Sequence, residues 1–261
     1  MSDSSPSLSP AASVEGLLTL ARARAKAGDA DGAGRTFAAA LHLAEQHGLW
    51  GPTARAQAWL AGVDVRKGRL TLARARLDRA WALCTTHNPG PETRAEVASQ
   101  LGQVLVFQGF AGAGAALMVE AMGLFGTLGR LAERDELELA LAAMHGRVDD
   151  AVRDAAPGSE QAVRALVRRA ELRLGMGQTT AARADFSTAW RDASKVELSA
   201  EYRGRIGLHY ARLLVAVPSA HSEAARTVLQ AVRIDLADDA DARAEADTLL
   251  AQLPGSTVEQ H

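Results

Sequence analysis

An all-α fold, a linear stack of short antiparallel helices, is predicted by three observations on this sequence. Long stretches combine Ala, Leu and Arg, which are strong helix formers, and almost nothing alternates with the period of a strand. Gly or Pro punctuates those stretches commonly every 15 to 20 residues or so, which calls for helices joined by tight turns. The residues around the punctuation recur at fixed offsets, the mark of a repeat architecture.

The bulk composition narrows the function. The 261 residues are 48% apolar and 23% charged, ordinary for a folded soluble protein. A net charge of −2 argues against a general nucleic-acid binder, and 4% aromatics argue against a stacking platform for single-stranded bases. Cys84 is the only cysteine, so an intramolecular disulfide or a multi-cysteine metal site is excluded. The N-terminus lacks the basic and apolar regions of a signal peptide. Residues 1–13 are expected to be disordered, 14–253 to form the repeat domain, and 254–261 to be a disordered tail. Heavy Ala, Arg and Leu usage suggests a GC-rich gene, and the expected location is a bacterial cytoplasm.

The recurrence is explicit. Gly28-Asp29 is followed by Ala33, Phe37 and Ala40; Gly68-Arg69 by Ala73, Leu77 and Ala80; Gly109-Phe110 by Gly114, Met118 and Ala121; and Gly177-Gln178 by Ala182, Phe186 and Ala189. Each set places small residues seven apart on one helix face with a large apolar residue between them. Upstream of the first three glycines stand Leu20-Ala21, Leu60-Ala61 and Leu101-Gly102. A small residue lets the partner helix approach, the large one fills the groove beside it, and glycine permits the left-handed turn that ends the first helix.

This pattern resembles the tetratricopeptide repeat, most closely over Leu17 to Glu45. The resemblance covers roughly residues 14 to 253 and implies a right-handed α-α superhelix of about six helical hairpins with a C-terminal capping helix at Asp238 to Leu253. The first three turn glycines lie about 40 residues apart, longer than the family's usual 34, so lengthened helices are expected. A weak, irregular unit is expected near 131–158, turning at Gly146-Arg147 and cut short by Pro157-Gly158. A sixth is expected from Ser199 to Val232, turning at Val217-Pro218-Ser219. The family tryptophan and tyrosine of helix A are absent: Leu17, Gln57 and Leu166 stand at the first position, and Arg24, Asp64 and Arg173 at the second. Arg24 and Asp64 are expected to face each other across adjacent A helices.

The sequence offers no recognisable catalytic chemistry. No two of the seven histidines show the i, i+4 spacing of a helical zinc motif. Cys84 and His87 are three apart but run into Asn88-Pro89-Gly90 at a helix end. Gly112-Ala113-Gly114 lacks the spacing and lysine of a phosphate loop, and no Gly-x-Ser-x-Gly elbow is present. The expectation is a protein that is not an enzyme and holds no metal or cofactor.

Two stretches stand out for binding. In the resembled family helix A lines the concave face, which places Arg22, Lys26, Arg55, Trp59 and Arg66, then Gln100, Gln103 and Phe107, then Arg164, Arg168 and Glu171 in a groove. The asparagine of the clamp with which some family members hold acidic chaperone tails is missing, since Arg22 and Gly62 stand there. The second stretch is Val97 to Gly129, where only Glu120 carries a formal charge. It reads either as a covered central hairpin or as an exposed apolar surface of Phe107, Phe110, Met118, Met122 and Phe125 for a partner or a second copy of the chain. Seven glycines and the repeat register oppose a membrane span. Charge is blocked: residues 14–88 carry net +5, 89–160 net −6, 161–233 net +6 and 234–261 net −6. The leading expectation is a scaffold that holds an acidic or amphipathic peptide or helix in its groove, with no direct nucleic-acid contact. A regulatory sensor acting with a partner chain is the second reading, and an enzyme with a dispersed site the third.

Overall fold

The computed structural model describes residues 9–254, the side chains of 218–220 excepted, and those residues form twelve α-helices and no strand. They are α1 (Pro10–Lys26), α2 (Ala30–Gln46), α3 (Trp50–Arg66), α4 (Leu70–His87), α5 (Pro91–Phe107), α6 (Ala111–Thr127), α7 (Leu131–Asp154), α8 (Glu160–Gly175), α9 (Thr179–Ala193), α10 (Ala200–Val215), α11 (Pro218–Asp235) and α12 (Ala240–Gln252). The chain divides into two compact units, one reaching Leu141 and the other starting at Ala142.

In the first unit three hairpins, α1/α2, α3/α4 and α5/α6, stack in chain order. The small–large–small residues do what their spacing predicts. Ala33, Phe37 and Ala40 are fully buried against Val14, Leu18 and Ala21, and Ala73, Leu77 and Ala80 against Ala54, Ala58 and Ala61. In the third hairpin the approach is closer still. A Cβ on Gly102 would lie 2.8 Å from the Gly114 carbonyl oxygen, and one on Gly114 would lie 2.6 Å from that of Gly102. Two glycines therefore meet backbone to backbone, which explains part of the glycine richness of that stretch. The left-handed turns are more regular than the expected set. Gly28, Gly68 and Gly109 close the hairpins, Gly48 and Asn88 join one hairpin to the next, and Gly129 leads from the third into α7, all with positive φ.

The second unit holds the hairpins α8/α9 and α10/α11, with α12 packed on the last. Ala182, Phe186 and Ala189 are fully buried. Ser159, Ser199 and Asp239 cap α8, α10 and α12 through their side-chain oxygens, so the acidic cluster before α12 includes a true N-cap.

Three expectations need correction. α7 is one 24-residue helix that runs through Gly146, so the hairpin expected there does not form and the described hairpins number five. A single helix-interior glycine costs about 1 kcal/mol, which the surrounding Ala, Leu, Glu and Met outweigh; the break falls instead at Pro157-Gly158, where Gly158 has φ +72°. α1 starts at Pro10, four residues before the expected domain boundary at 14, because Ser9 caps it and proline suits the first turn. The remaining terminal residues, 1–8 and 255–261, lie outside the described residues.

The third correction concerns Arg24 and Asp64, which do not pair. Arg24 donates to Thr36 Oγ1 at 2.8 Å, and Asp64 accepts from Arg76 at 2.9 Å and from Arg69. Both partners lie within the same hairpin, twelve residues on. The rule is general: the residue four before each turn glycine meets the residue eight after it. In the α8/α9 hairpin Arg173 donates to buried Asp185 at 2.7 Å, and in α5/α6 the two positions are Leu105 and Leu117, in one apolar cluster. At this position the chain uses a cross-hairpin pair: Arg with Thr, Asp with Arg, Arg with Asp, or Leu with Leu.

Candidate functional site

The A helices of the first unit, α1, α3 and α5, carry most of the residues expected to line a groove. Trp59 on α3 is half-buried. Its indole stacks on fully buried Phe37 with ring centroids 5.7 Å apart, and Arg22 lies over the indole at 4.7 Å. Arg22 then reaches past α3 to Glu96 on α5, at 3.5 Å. Glu96 is buried, and it also accepts from Arg130 at 3.0 Å. Arg55 is tied to Glu15. Two of the four basic groups expected to receive an acidic ligand are therefore neutralised by carboxylates of the chain itself. Lys26 and Arg66 remain exposed, and Gln103 bonds only Ser99, at 3.5 Å. Half of the signal was in the register: Glu15 and Arg55 each stand thirteen residues before a turn glycine, so their charges lie side by side on α1 and α3, whereas Arg22 stands six before its glycine and reaches Glu96 only by its length.

The alternative apolar surface does not exist as drawn. Met118 and Phe125 are buried in the core, because Met118 is the large member of a small–large–small set. Met122 is half-buried. Phe107 and Phe110 are exposed, at 70% and 56%, on either side of Gly109, with Arg74 over the Phe110 ring at 5.6 Å. The stretch itself breaks into α5 and α6, and no described helix is long and apolar enough to cross a membrane.

The second unit presents a different face. On α8 the side chains of Gln161, Arg164, Ala165 and Arg168 form one stripe, and on the C-terminal half of α7 Met144, Arg147, Val148, Ala151, Asp154 and Ala155 form another. Between them lies a cleft of about 510 Å³, within the range of small-ligand and peptide side-chain sites. The cleft follows from the correction to α7: with no turn at Gly146, the helix runs on and flanks α8 instead of doubling back.

Charges here are treated unlike those of the first unit. Arg164 is held by Glu160 at 2.7 Å and lies over the Tyr202 ring of α10 at 4.7 Å. Arg169 and Arg173 turn inward to Asp185. Arg147, Arg168, Asp154 and Glu171 form no ion pair or hydrogen bond among the described residues. Burial holds the Glu171 carboxyl above its ordinary range, against the opposing pull of Arg168. Burial likewise raises the Tyr202 hydroxyl, with Arg164 opposing. Arg164, Arg168 and Glu171 were expected on this face; Arg147, Asp154 and Tyr202 were not. Arg147, Ala151 and Asp154 share one face once α7 is read as unbroken, while Tyr202 stands on α10, outside that stripe.

Elsewhere the reactive side chains are occupied. Cys84 is buried, and burial pushes its thiol up to about 11, so it is a core residue rather than a nucleophile. His87 stacks on Trp50 at 4.3 Å. Among the described residues no group of three or more His, Cys, Asp or Glu is placed to hold a metal.

The hairpin geometry, the glycine turns and the small–large–small packing give this chain an all-α fold of stacked helical hairpins, the tetratricopeptide-like fold. The sequence matches no family model and no curated protein. Among solved structures it is similar to BtubC (BKLC) from P. vanneervenii, at 14% identity over 90% of this chain and 81% of that one, with a TM-score of 0.38. It is similar to the Podosopora anserina putative kinesin light chain with nearly identical TPR-like repeats, at 14% identity over 90% and 99% of the two chains and a TM-score of 0.39. It is also similar to the TPR2AB domain of yeast Sti1 in its complex with pHSP90, at 15% identity over 92% and 97% and a TM-score of 0.37.

Proposed function

We propose that this protein is a non-catalytic binding scaffold and that the segment it holds is a peptide or helix seated on the α7–α8 cleft of the second unit. Stacked helical hairpins offer long surfaces and few enclosed pockets, and partner binding is their usual use. One observation carries the choice of site. The cleft sets Arg147 and Arg168, neither in an ion pair, beside an apolar floor of Met144, Val148, Ala151 and Ala165, whereas on the A helices of the first unit Arg22 and Arg55 are neutralised by the chain's own carboxylates. Unpaired arginines beside apolar surface combine contact area with polar reach, the composition of binding hot spots.

The test is selection of displayed random dodecapeptides on the full chain. Enriched peptides are expected to bind the wild type and to lose binding to Arg168→Glu, while Arg183→Glu on α9 leaves it intact. Binding should weaken as salt rises. A chain that enriches nothing, or peptides indifferent to Arg168→Glu, would defeat the reading.

A further inference from the structure

The charges left unpaired around the cleft are of both signs. α8 alone shows how selective this is. Arg169 and Arg173 are committed to buried Asp185, with Asp149 as a further partner of Arg169 at 3.1 Å, while Arg168 makes no hydrogen bond and only attracts Glu171 through space. One turn further along α8, Glu171 is half-buried with no donor to satisfy it. Burying a carboxylate without a hydrogen bond costs stability, and this chain avoids that cost at Glu96, Asp64 and Asp185, each held by two arginines. On the α7 side Asp154 lines the cleft together with Arg147. Beside Glu171 the Tyr202 hydroxyl makes no hydrogen bond among the described residues.

Resting on the scaffold reading above, we propose that the cleft and the adjoining α8–α10 face form a two-pole peptide site, taking a segment with an acidic and a basic side chain about one helical turn apart beside an apolar side chain. Arg147 and Arg168 receive the acidic group. Glu171 accepts from the basic group, with the Tyr202 hydroxyl alongside. Met144, Val148, Ala151 and Ala165 take the apolar side chain. The spacing follows from α8 itself: Arg168 and Glu171 are three residues apart, about 4.5 Å along the axis. Asp154 and Glu171 repel a purely acidic segment, so the site selects mixed charge over negative charge.

The probes are four fluorescein-labelled synthetic helical peptides with one leucine stripe, carrying Glu and Lys, Glu and Gln, Gln and Lys, or Gln alone at the two flanking positions. Fluorescence anisotropy against the full chain should show the Glu–Lys peptide binding about fivefold tighter than either single-charge peptide, the worth of a partly exposed ion pair. Glu171→Gln should abolish the advantage of lysine and leave that of glutamate; Arg168→Gln should do the reverse. Glu171→Gln should also raise the melting temperature at neutral pH, which shows that its binding loss is not misfolding. A Glu–Gln peptide that binds as tightly as Glu–Lys, or a lysine advantage that survives Glu171→Gln, overturns the proposal. So does failure of all four peptides, and the display selection then decides whether the scaffold reading falls with it.

Discussion

At the scale of single residues the chain satisfies its buried charges with two arginines apiece and makes a few telling exceptions. Asp185 receives Arg169 and Arg173, and losing one partner of such a group typically costs about 3–5 kcal/mol because the other charge stays buried. His209 is a different case. Its ring stacks on Phe186 of α9 with centroids 5.4 Å apart, Arg212 approaches Nδ1 at 3.5 Å, and Arg212 is itself clamped by Glu245 of α12. Burial, and then Arg212, lower the imidazole below its ordinary 6.5, with Glu245 opposing. A depressed folded-state value means the unfolded chain takes up the proton first. His209 therefore costs nothing above about pH 6.5, and stability falls as pH drops below that value until the folded ring also titrates. The melting temperature of the wild type should decline from pH 7 to 5 more steeply than that of His209→Gln. Parallel declines would show that other groups govern the acid limb.

At the scale of elements most helices were legible and one was not. The turn glycines, the small–large–small sets and the absence of strands followed from spacing, because packing of short helices demands those residue types at those offsets. α7 was misread because a glycine in sequence looks the same whether it turns the chain or is tolerated inside a helix. What differs is its surroundings. Gly146 lies among strong helix formers and its added Cβ would meet nothing within 4 Å, whereas Gly102 faces the Gly114 backbone. Gly146→Ala should stabilise the chain by about 0.5–1 kcal/mol by restricting the unfolded state. Gly102→Ala should destabilise it by about 1–3 kcal/mol, since backbone cannot yield as a side chain can. Denaturant titration of the two variants checks both signs, and a destabilised Gly146→Ala would restore the turn. The candidate site was only half legible for the same reason. Arg164, Arg168 and Glu171 follow from the repeat register on α8, but Arg147 and Asp154 join them only if α7 is continuous. In the first unit the repeat register places Arg22, Arg55 and Trp59 on the A helices, yet position alone does not tell that Glu15 and Glu96 neutralise Arg55 and Arg22.

At the scale of the whole molecule the two units have their own cores. Leu77 belongs to a cluster built from α3, α4 and α5, and Leu229 to one built from α10, α11 and α12; both are fully buried. Removing either side chain down to alanine should cost about 2–5 kcal/mol. If each unit melts on its own, calorimetry should resolve two transitions, with Leu77→Ala lowering one and Leu229→Ala the other. A single transition lowered equally by both would show one cooperative body. The cross-hairpin pairs bear on how such a molecule avoids assembling wrongly. The second helices of the hairpins, α2, α4, α6 and α9, share one small–large–small pattern, so hydrophobic matching alone would let α4 or α9 dock on α3 or α8 as the chain collapses. The pairs break that degeneracy. Asp64 set against Asp185, or Arg173 against Arg76, is like charge on like charge, so a helix docked on the wrong partner should be disfavoured. The α3/α4 and α8/α9 hairpins thus carry the same pair in opposite polarity, and a recombined chain that exchanged α4 with α9 should lose stability although its apolar contact types are kept.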